Sequence, residues 1–184
     1  MKTGTSIVVV LMGVAGSGKT TVGRVLATAL GWEFRDADDF HPPRNIAKMS
    51  RGTPLTDADR APWLAAIRQH IDDCLARRSN AVLTCSALKA VYRRAILSDP
   101  DRVKLVQLSG TPELIRQRLA ARSGHFMKTD MLDSQLASLE PPADALTVDI
   151  APPPEIIVGR IRSDRKSTRL NSSHSQQFRM PSSA

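Results

Sequence analysis

The sequence predicts an α/β fold built on a five-stranded parallel sheet. Short apolar segments rich in β-branched residues alternate with segments whose apolar residues recur at helical spacing. The clearest strand, residues 6–12, leads into a glycine-rich stretch at 13–20 and then into a helix at 21–30. Because such alternating elements are joined by right-handed crossovers, we expect ligands beyond the carboxyl ends of the strands.

The remaining elements follow from apolar spacing and from residues that begin or end helices. Further strands are predicted at residues 32–36, 80–85, 103–108 and 146–150. Further helices are predicted at residues 45–49, 56–75, 88–97, 111–122, 131–139 and 154–161, with a polar loop at 123–130. Thr56 with Asp59 three residues later, and Thr111 before Pro112, are typical helix beginnings.

The glycine-rich stretch fits G-x-x-x-x-G-K-[ST], the phosphate-binding loop of ATP- and GTP-using proteins. Its residues are Gly13, Val14, Ala15, Gly16, Ser17, Gly18, Lys19 and Thr20. Glycines let the backbone fold tightly around a phosphate, and the N-terminus of the next helix adds partial positive charge. We expect Lys19 to reach the β- and γ-phosphates and the Thr20 hydroxyl to hold Mg²⁺.

Composition narrows the class of protein. The 184 residues predict one domain, and the net charge of +8 is scattered without the aromatic residues typical of nucleic-acid binding, so no nucleic-acid partner is expected. An N-K-x-D stretch is absent, which argues against a guanine-specific switch GTPase, and the chain is short for a motor ATPase. A small-molecule kinase fits best, and such an enzyme needs a site for an acceptor hydroxyl.

Apolar runs and cysteines predict the compartment. The chain lacks a run of 18 apolar residues, so we expect no membrane partner, and the apolar segment 7–12 is too short for a signal peptide. Cys74 and Cys85 lack metal-ligand spacing and are expected as free thiols. These observations predict a cytoplasmic protein.

The composition changes at residue 164. Residues 164–184 are rich in serine, arginine and glutamine and lack apolar periodicity, which predicts disorder. Residues 164–174 also resemble the translation of a common DNA-sequencing adaptor, and 179–184 fit its continuation. We therefore expect a domain at 1–163 and a non-native tail at 164–184; a native basic tail that binds an acidic partner is the alternative.

Acidic residues follow the second predicted strand. In an extended chain, alternation places Asp36 and Asp38 on one side. One carboxylate then orders Mg²⁺ through water while the other accepts the acceptor's hydroxyl proton. A solvated acidic turn is the alternative.

Further sequence blocks accompany the phosphate loop and are distinctive as a set. They are Leu11-Met12 before the loop, Asp36-Ala37-Asp38, His41-Pro42, Arg44-Asn45-Ile46-Ala47-Lys48-Met49, Gly52-Thr53-Pro54-Leu55-Thr56-Asp57-Ala58-Asp59-Arg60, Pro62-Trp63-Leu64, Cys85-Ser86-Ala87-Leu88-Lys89, Tyr92-Arg93 and Gly124-His125-Phe126. Together they make residues 6–161 similar to the thermoresistant gluconokinase family.

The resemblance implies the reaction ATP + D-gluconate → ADP + 6-phospho-D-gluconate. It also implies a three-layer P-loop kinase fold like that of shikimate and adenylate kinases, a mobile lid at about residues 122–138 and a homodimer. Two alternatives remain: a kinase of another small hydroxy acid, such as shikimate, and a nucleotide-binding module without turnover.

The resemblance further implies residue roles. Lys19 and Arg122 act on the transferred phosphate, Asp38 is the base, and Thr20 with Asp36 holds Mg²⁺. The implied acceptor-binding residues are Asp38, His41, Arg44, Asn45, Lys48, Arg60, Ser86 and Lys89. Arg118 stacks on adenine, with a solvated helix face as its alternative. Asp39 stands where the family has a hydrophobic residue, so Asp38 and Asp39 are alternatives for the base.

Overall fold

The computed structural model describes residues 5–121 and 129–174. It contains one five-stranded sheet whose strands all run parallel, in the order β2-β3-β1-β4-β5. The strands are β1 (Val8–Met12), β2 (Glu33–Asp36), β3 (Ala81–Thr84), β4 (Val103–Ser109) and β5 (Leu146–Asp149). This confirms the predicted sheet, and it places β1 and the loop that follows it at the centre.

Within the described ranges, seven α-helices connect or flank these strands. They are α1 (Lys19–Leu30), α2 (Pro43–Ser50), α3 (Asp57–Ala76), α4 (Ala90–Ile96), α5 (Pro112–Ala120), α6 (Thr129–Ser138) and α7 (Pro154–His174), and a short 3-10 helix occupies Ala37–Phe40. Among the described residues, none of these helices is long and apolar enough to cross a membrane.

The helices cover both faces of the sheet and produce two cores. Alternate residues of β1 belong to different cores, because successive strand side chains point to opposite faces. Val9 and Leu11 pack with helices α1, α5, α6 and α7, whereas Val8 and Val10 pack with α3 and α4. All five residues of β1 are buried, as a central parallel strand requires.

Helix α1 lies unusually close to the sheet at Gly23. A Cβ at this position would lie 2.7 Å from Phe34 Cε2 and 2.9 Å from Thr84 Cγ2. These separations are shorter than van der Waals contact, so only glycine lets α1 approach β2 and β3 this closely. The close approach brings the start of α1 beside the carboxyl end of β2.

Two predicted segments differ from the structure. The last helix was expected to end near residue 161, and residues 164–174 were expected to be disordered, but α7 continues as a helix to His174. The predicted loop at 123–130 and lid at 122–138 fall partly outside the described residues, whereas Thr129–Ser138 forms α6. The origin of residues 164–184 stays a prediction.

Candidate active site

The phosphate loop joins β1 to α1 and takes its shape from glycine. Gly16 and Gly18 have φ angles of 81° and 86°, in the left-handed region that favours glycine. Gly18 is the N-cap of α1, so the helix starts at Lys19 rather than at residue 21 as predicted. The Lys19 ammonium donates hydrogen bonds to the carbonyls of Gly13 (2.9 Å) and Val14 (3.0 Å).

The predicted magnesium ligands lie together beside this loop. The Thr20 hydroxyl donates a hydrogen bond to Asp36 Oδ2 at 2.9 Å, which joins the first turn of α1 to the end of β2. Hydroxyl and carboxylate oxygens are the ligands that Mg²⁺ prefers, usually together with phosphate oxygens and water. The two residues therefore fit the metal that accompanies a bound nucleoside triphosphate.

The chain turns immediately after Asp36. Asp36 Oδ1 accepts a hydrogen bond from the backbone N–H of Asp38 at 3.2 Å, and this cap begins the 3-10 helix Ala37–Phe40. The expectation of an extended chain here was wrong, because the side-chain cap replaces strand pairing with a tight turn. Asp36 and Asp38 are still brought close, by the turn rather than by strand alternation.

Asp38 has the electrostatic setting of a proton acceptor. Its side chain meets solvent, but surrounding protein removes part of its hydration and raises the pKa of its carboxyl group. The negative charge of Asp36 raises this pKa further, while His41 and Lys19 act in the opposite direction. A carboxylate with a raised pKa is a stronger base.

His41 connects Asp38 to the helix α3. Its ring stacks on Trp63, with centroids 4.5 Å apart and an interplanar angle of 10°. Trp63 is buried, and its indole N–H donates to the Ala37 carbonyl at 2.7 Å, so the same side chain fixes the 3-10 helix. Burial lowers the pKa of His41, with Arg60 acting in the same direction and Asp38 opposing it.

Helix α2 is fastened to α3 by two predicted site residues. Asn45 is fully buried, and its amide donates to the Asp59 carbonyl at 2.8 Å. The Lys48 ammonium lies 2.9 and 2.8 Å from the two carboxylate oxygens of Asp59. Hydrogen bonds from Lys48 and Thr56 hold the pKa of Asp59 far below its usual range. Arg44 is exposed on α2.

Arg60 and Lys89 share two partners, the Tyr92 ring and the Asp57 carboxylate. They lie 5.6 and 5.4 Å from the centroid of the Tyr92 ring. Both also approach the Asp57 carboxylate, at 3.6 and 3.3 Å, and the Tyr92 hydroxyl donates to the same carboxylate. The Tyr92 and Lys89 hydrogen bonds lower the pKa of Asp57.

Residues 85–89 follow β3 into the same region. Ala87 has a φ of 43°, and the buried Arg93 donates to the carbonyls of Ala87 (3.1 Å) and Leu88 (2.8 Å). These two hydrogen bonds hold the backbone conformation that places half-buried Ser86 and Lys89 at the sheet edge. Cys85 is buried, which raises the pKa of its thiol to about 12 and leaves it inert as a nucleophile.

Of the two arginines predicted to act near the nucleotide, Arg118 and Arg122, the structure describes only Arg118. Arg118 Nη2 donates to the Ile150 carbonyl at 2.7 Å, and its Nη1 lies 3.8 Å from the position that a Cβ would take at Gly18. Arg118 therefore bridges the phosphate loop and the segment after β5. Arg122 lies outside the described residues.

Sequence reasoning missed four residues of this region: Asp57, Tyr92, Arg93 and Gln135. The first three lie in the sequence blocks that carry the family resemblance, but no role was predicted for them. Gln135 Oε1 accepts a hydrogen bond from the Ala15 backbone N–H at 2.7 Å, although the two residues lie far apart in the chain. The sequence does contain an indication of this role, because Gln135 is a polar residue among the apolar residues Leu132, Leu136 and Leu139, which face the core.

Comparisons with known proteins find similar sequences among gluconokinases. A protein-family model described as an AAA domain matches residues 8–142. A gluconokinase of Gluconobacter oxydans is 50% identical over 135 residues, covering 73% of this chain and 76% of the relative. The thermoresistant gluconokinase of Escherichia coli is 42% identical, covering 81% of this chain and 87% of the relative.

Solved structures of small-molecule kinases are also similar to this chain. The crystal structure of a gluconokinase from Sinorhizobium meliloti is similar with a TM-score of 0.81 and 41% identity, covering 92% of this chain and 98% of that one. The shikimate kinase of Aquifex aeolicus, at 18% identity and a TM-score of 0.56, shares the fold over 89% of this chain and 99% of its own.

Proposed function

The chain belongs to the gluconokinase family, and from this membership we propose that it transfers the γ-phosphoryl group of ATP to the terminal hydroxyl of D-gluconate. The observation that carries the proposal is the convergence of a phosphate loop, a Thr20–Asp36 pair and a basic carboxylate, Asp38, at the carboxyl edge of one sheet. These are the parts that phosphoryl transfer to a hydroxyl requires.

On the nucleotide side, the loop residues Gly13 to Thr20 surround the phosphates. Lys19 keeps the Val14 carbonyl as one partner and reaches the β- and γ-phosphates with its other two donors, since an ammonium donates three hydrogen bonds. When bound, Mg²⁺ neutralises the charge that accumulates on the transferred group. Thr20 and Asp36 would hold the metal, and Arg118 of α5, which donates a hydrogen bond to the Ile150 carbonyl, covers the adenine base.

On the acceptor side, Asp38 receives the proton of the attacking hydroxyl. Oxygen of the acceptor forms the new bond to phosphorus as the bond to the ADP oxygen breaks, and the proton moves to an Asp38 carboxylate oxygen. Asp39 is the alternative base. His41 lies beside Asp38 and contributes a neutral ring that binds hydroxyls, since burial lowers its pKa.

We assign the acceptor's carboxylate to Arg60 and Lys89. Arg60 and Lys89 lie 3.6 and 3.3 Å from the Asp57 carboxylate, a looser pairing than that of Lys48 with Asp59 at 2.8 Å, so the acceptor's carboxylate can take the place of that of Asp57 beside the Tyr92 ring. Asn45 and Lys48 are engaged with Asp59, so we propose that they orient α2 against α3 rather than bind the acceptor directly. Ser86 and Arg44 are proposed as further hydroxyl and carboxylate contacts.

The first experiment is a coupled ADP-release assay with Mg·ATP and a panel of acceptors: D-gluconate, shikimate and other sugar acids. Turnover restricted to D-gluconate supports the proposal. Turnover on a different acid would retain the mechanism and replace the substrate. A chain that binds ADP but turns over none of these acids would contradict the proposed activity.

We also propose a homodimer in a reducing, cytoplasmic setting. The two cysteines are buried and unbridged in the structure, as such a compartment favours. Light scattering coupled to size-exclusion chromatography measures the mass directly. A single species with the mass of one chain would contradict the dimer.

A further inference from the structure

We propose that Gln135 of α6 is a positioning residue for the catalytic lysine, acting through the peptide unit that joins Val14 to Ala15. The inference rests on the proposed function, because it concerns how Lys19 is presented to the transferred phosphoryl group. It adds a residue from a helix far along the chain to the machinery of the phosphate loop.

The Val14–Ala15 peptide unit is bound on both of its sides. Its N–H donates to Gln135 Oε1 at 2.7 Å, and its carbonyl accepts from the Lys19 ammonium at 3.0 Å. The N–H and C=O of a planar trans peptide point in opposite directions. A side chain that fixes the N–H therefore also fixes the direction of the carbonyl that holds Lys19.

Helix α6 places Gln135 with little freedom. Leu132 is 1% exposed and belongs to the same buried core as Val14. Leu136 packs against that core as well, and positions 132, 135 and 136 share one face of α6, while Leu139 packs on the same core just after the helix. Asp133 is paired with Arg116 of α5 at 2.8 Å. The glutamine is thus the polar member of an apolar, anchored face.

The loop needs such a restraint at this peptide. Gly16, on the other side of Ala15, adopts a left-handed conformation, and glycine lowers the barrier to alternative backbone states. If the Val14–Ala15 unit rotated, Lys19 would lose one acceptor.

The segment just after α6 contacts the acceptor side of the site. The Glu140 carboxylate accepts from the Ala90 N–H at 2.6 Å, and the Glu140 N–H donates to the Leu88 carbonyl at 3.0 Å. These contacts flank Lys89, which we assign to the acceptor's carboxylate. One short segment, residues 135–140, therefore touches the supports of both substrates.

The test compares two substitutions at one position. Gln135→Met keeps the length of the side chain but removes the acceptor, whereas Gln135→Glu keeps an oxygen acceptor for the Ala15 N–H. Gln117→Met, on an exposed position of α5, is the matched control. The readouts are kcat at saturating ATP and D-gluconate, KM for each substrate, and the ADP dissociation constant.

We expect Gln135→Met to lower kcat by about tenfold, the effect of losing about 1.4 kcal/mol of transition-state stabilisation. KM for D-gluconate should change by less than about threefold, because the acceptor contacts are untouched. Gln135→Glu should recover most of the lost kcat, and Gln117→Met should match the parent. Gln135→Ala replaces the methionine variant if that variant does not fold.

Two results would overturn the inference. One is a kcat for the folded Gln135→Met or Gln135→Ala protein within twofold of the parent. The other is a Gln135→Glu protein as slow as Gln135→Met, because an oxygen acceptor would then be irrelevant. An inactive parent would instead contradict the proposed function, so the two failures are distinguishable.

Discussion

Replacement of Asp38 by asparagine tests the proposed base and gives two readouts of opposite sign. Asparagine keeps the shape and hydrogen-bonding capacity of the side chain but cannot accept the hydroxyl proton. We therefore expect kcat to fall while the folded protein becomes more stable. If the Asp38 charge served only to stabilise the fold, its removal would lower both kcat and the stability of the folded protein.

The magnitude of the activity loss follows from the role. A positioned general base contributes roughly 10²–10⁴-fold to a rate, so the loss of Asp38 should cost at least about 10²-fold in kcat. The phosphate loop, Thr20 and Asp36 remain in place, because Asp36 bonds to the backbone N–H of residue 38 rather than to its side chain. The ADP dissociation constant should therefore stay within about twofold.

The stability gain follows from the pKa. Burial, and next the charge of Asp36, raises the pKa of Asp38 in the folded protein above its unfolded value. The folded state then binds more protons than the unfolded state between these two pKa values, so stability falls as pH rises through that window. Above the window, ionised Asp38 destabilises the fold, and the neutral asparagine removes that cost.

The assay is the coupled ADP-release measurement from pH 4 to pH 9, paired with thermal melts at the same pH values. The parent should lose kcat on the acid side as Asp38 becomes protonated, and the variant should lack that limb. Asp39→Asn is the matched control, since it removes a neighbouring charge. Parent-like turnover in Asp38→Asn, together with a large loss in Asp39→Asn, would refute our assignment and move the base to Asp39.

Four further outcomes are expected. Lys19→Ala should lower kcat by at least about 10²-fold without changing the melting temperature, and an active variant would contradict the mechanism. Arg60→Met should raise KM for D-gluconate by about tenfold or more with an unchanged ADP dissociation constant; a change in ADP binding alone would place Arg60 elsewhere. Ile67→Ala, at a fully buried position, should cost about 2–5 kcal/mol in urea denaturation, whereas exposed Ile156→Ala should cost little. Truncation after residue 163 should preserve kcat and melting temperature, and loss of either would show that the tail is native.

Much of the fold was predictable because it depends on local patterns. The β1 strand, the phosphate loop and the start of α3 can each be recognised from fewer than about a dozen consecutive residues. At the start of α3, for example, Thr56 and Asp59 form the predicted capping box. The length of α7 was not predictable, since residues 164–174 lack the apolar spacing on which helix prediction depends.

The position of the candidate site was predictable, because its residues follow the strands at one edge of the sheet, but the partners of its side chains were less so. Thr20 and Asp36 meet as expected, because the first turn of α1 lies beside the end of β2. Lys48 was predicted to bind the acceptor, yet its ammonium pairs with both carboxylate oxygens of Asp59. Such long-range pairing depends on how α2 packs on α3, which no local pattern encodes.

The central position of β1 has a consequence for how the chain folds. Val8 pairs with Ala81 on one side and with Val103 on the other, so the first strand made has no neighbour until much later residues are present. Folding then depends on contacts between distant parts of the sequence, which slows the search for the native state. During synthesis, the apolar β1 strand has no neighbour until β3 has left the ribosome and gains its second neighbour only when β4 follows, and an unpaired apolar strand is prone to aggregate over that interval.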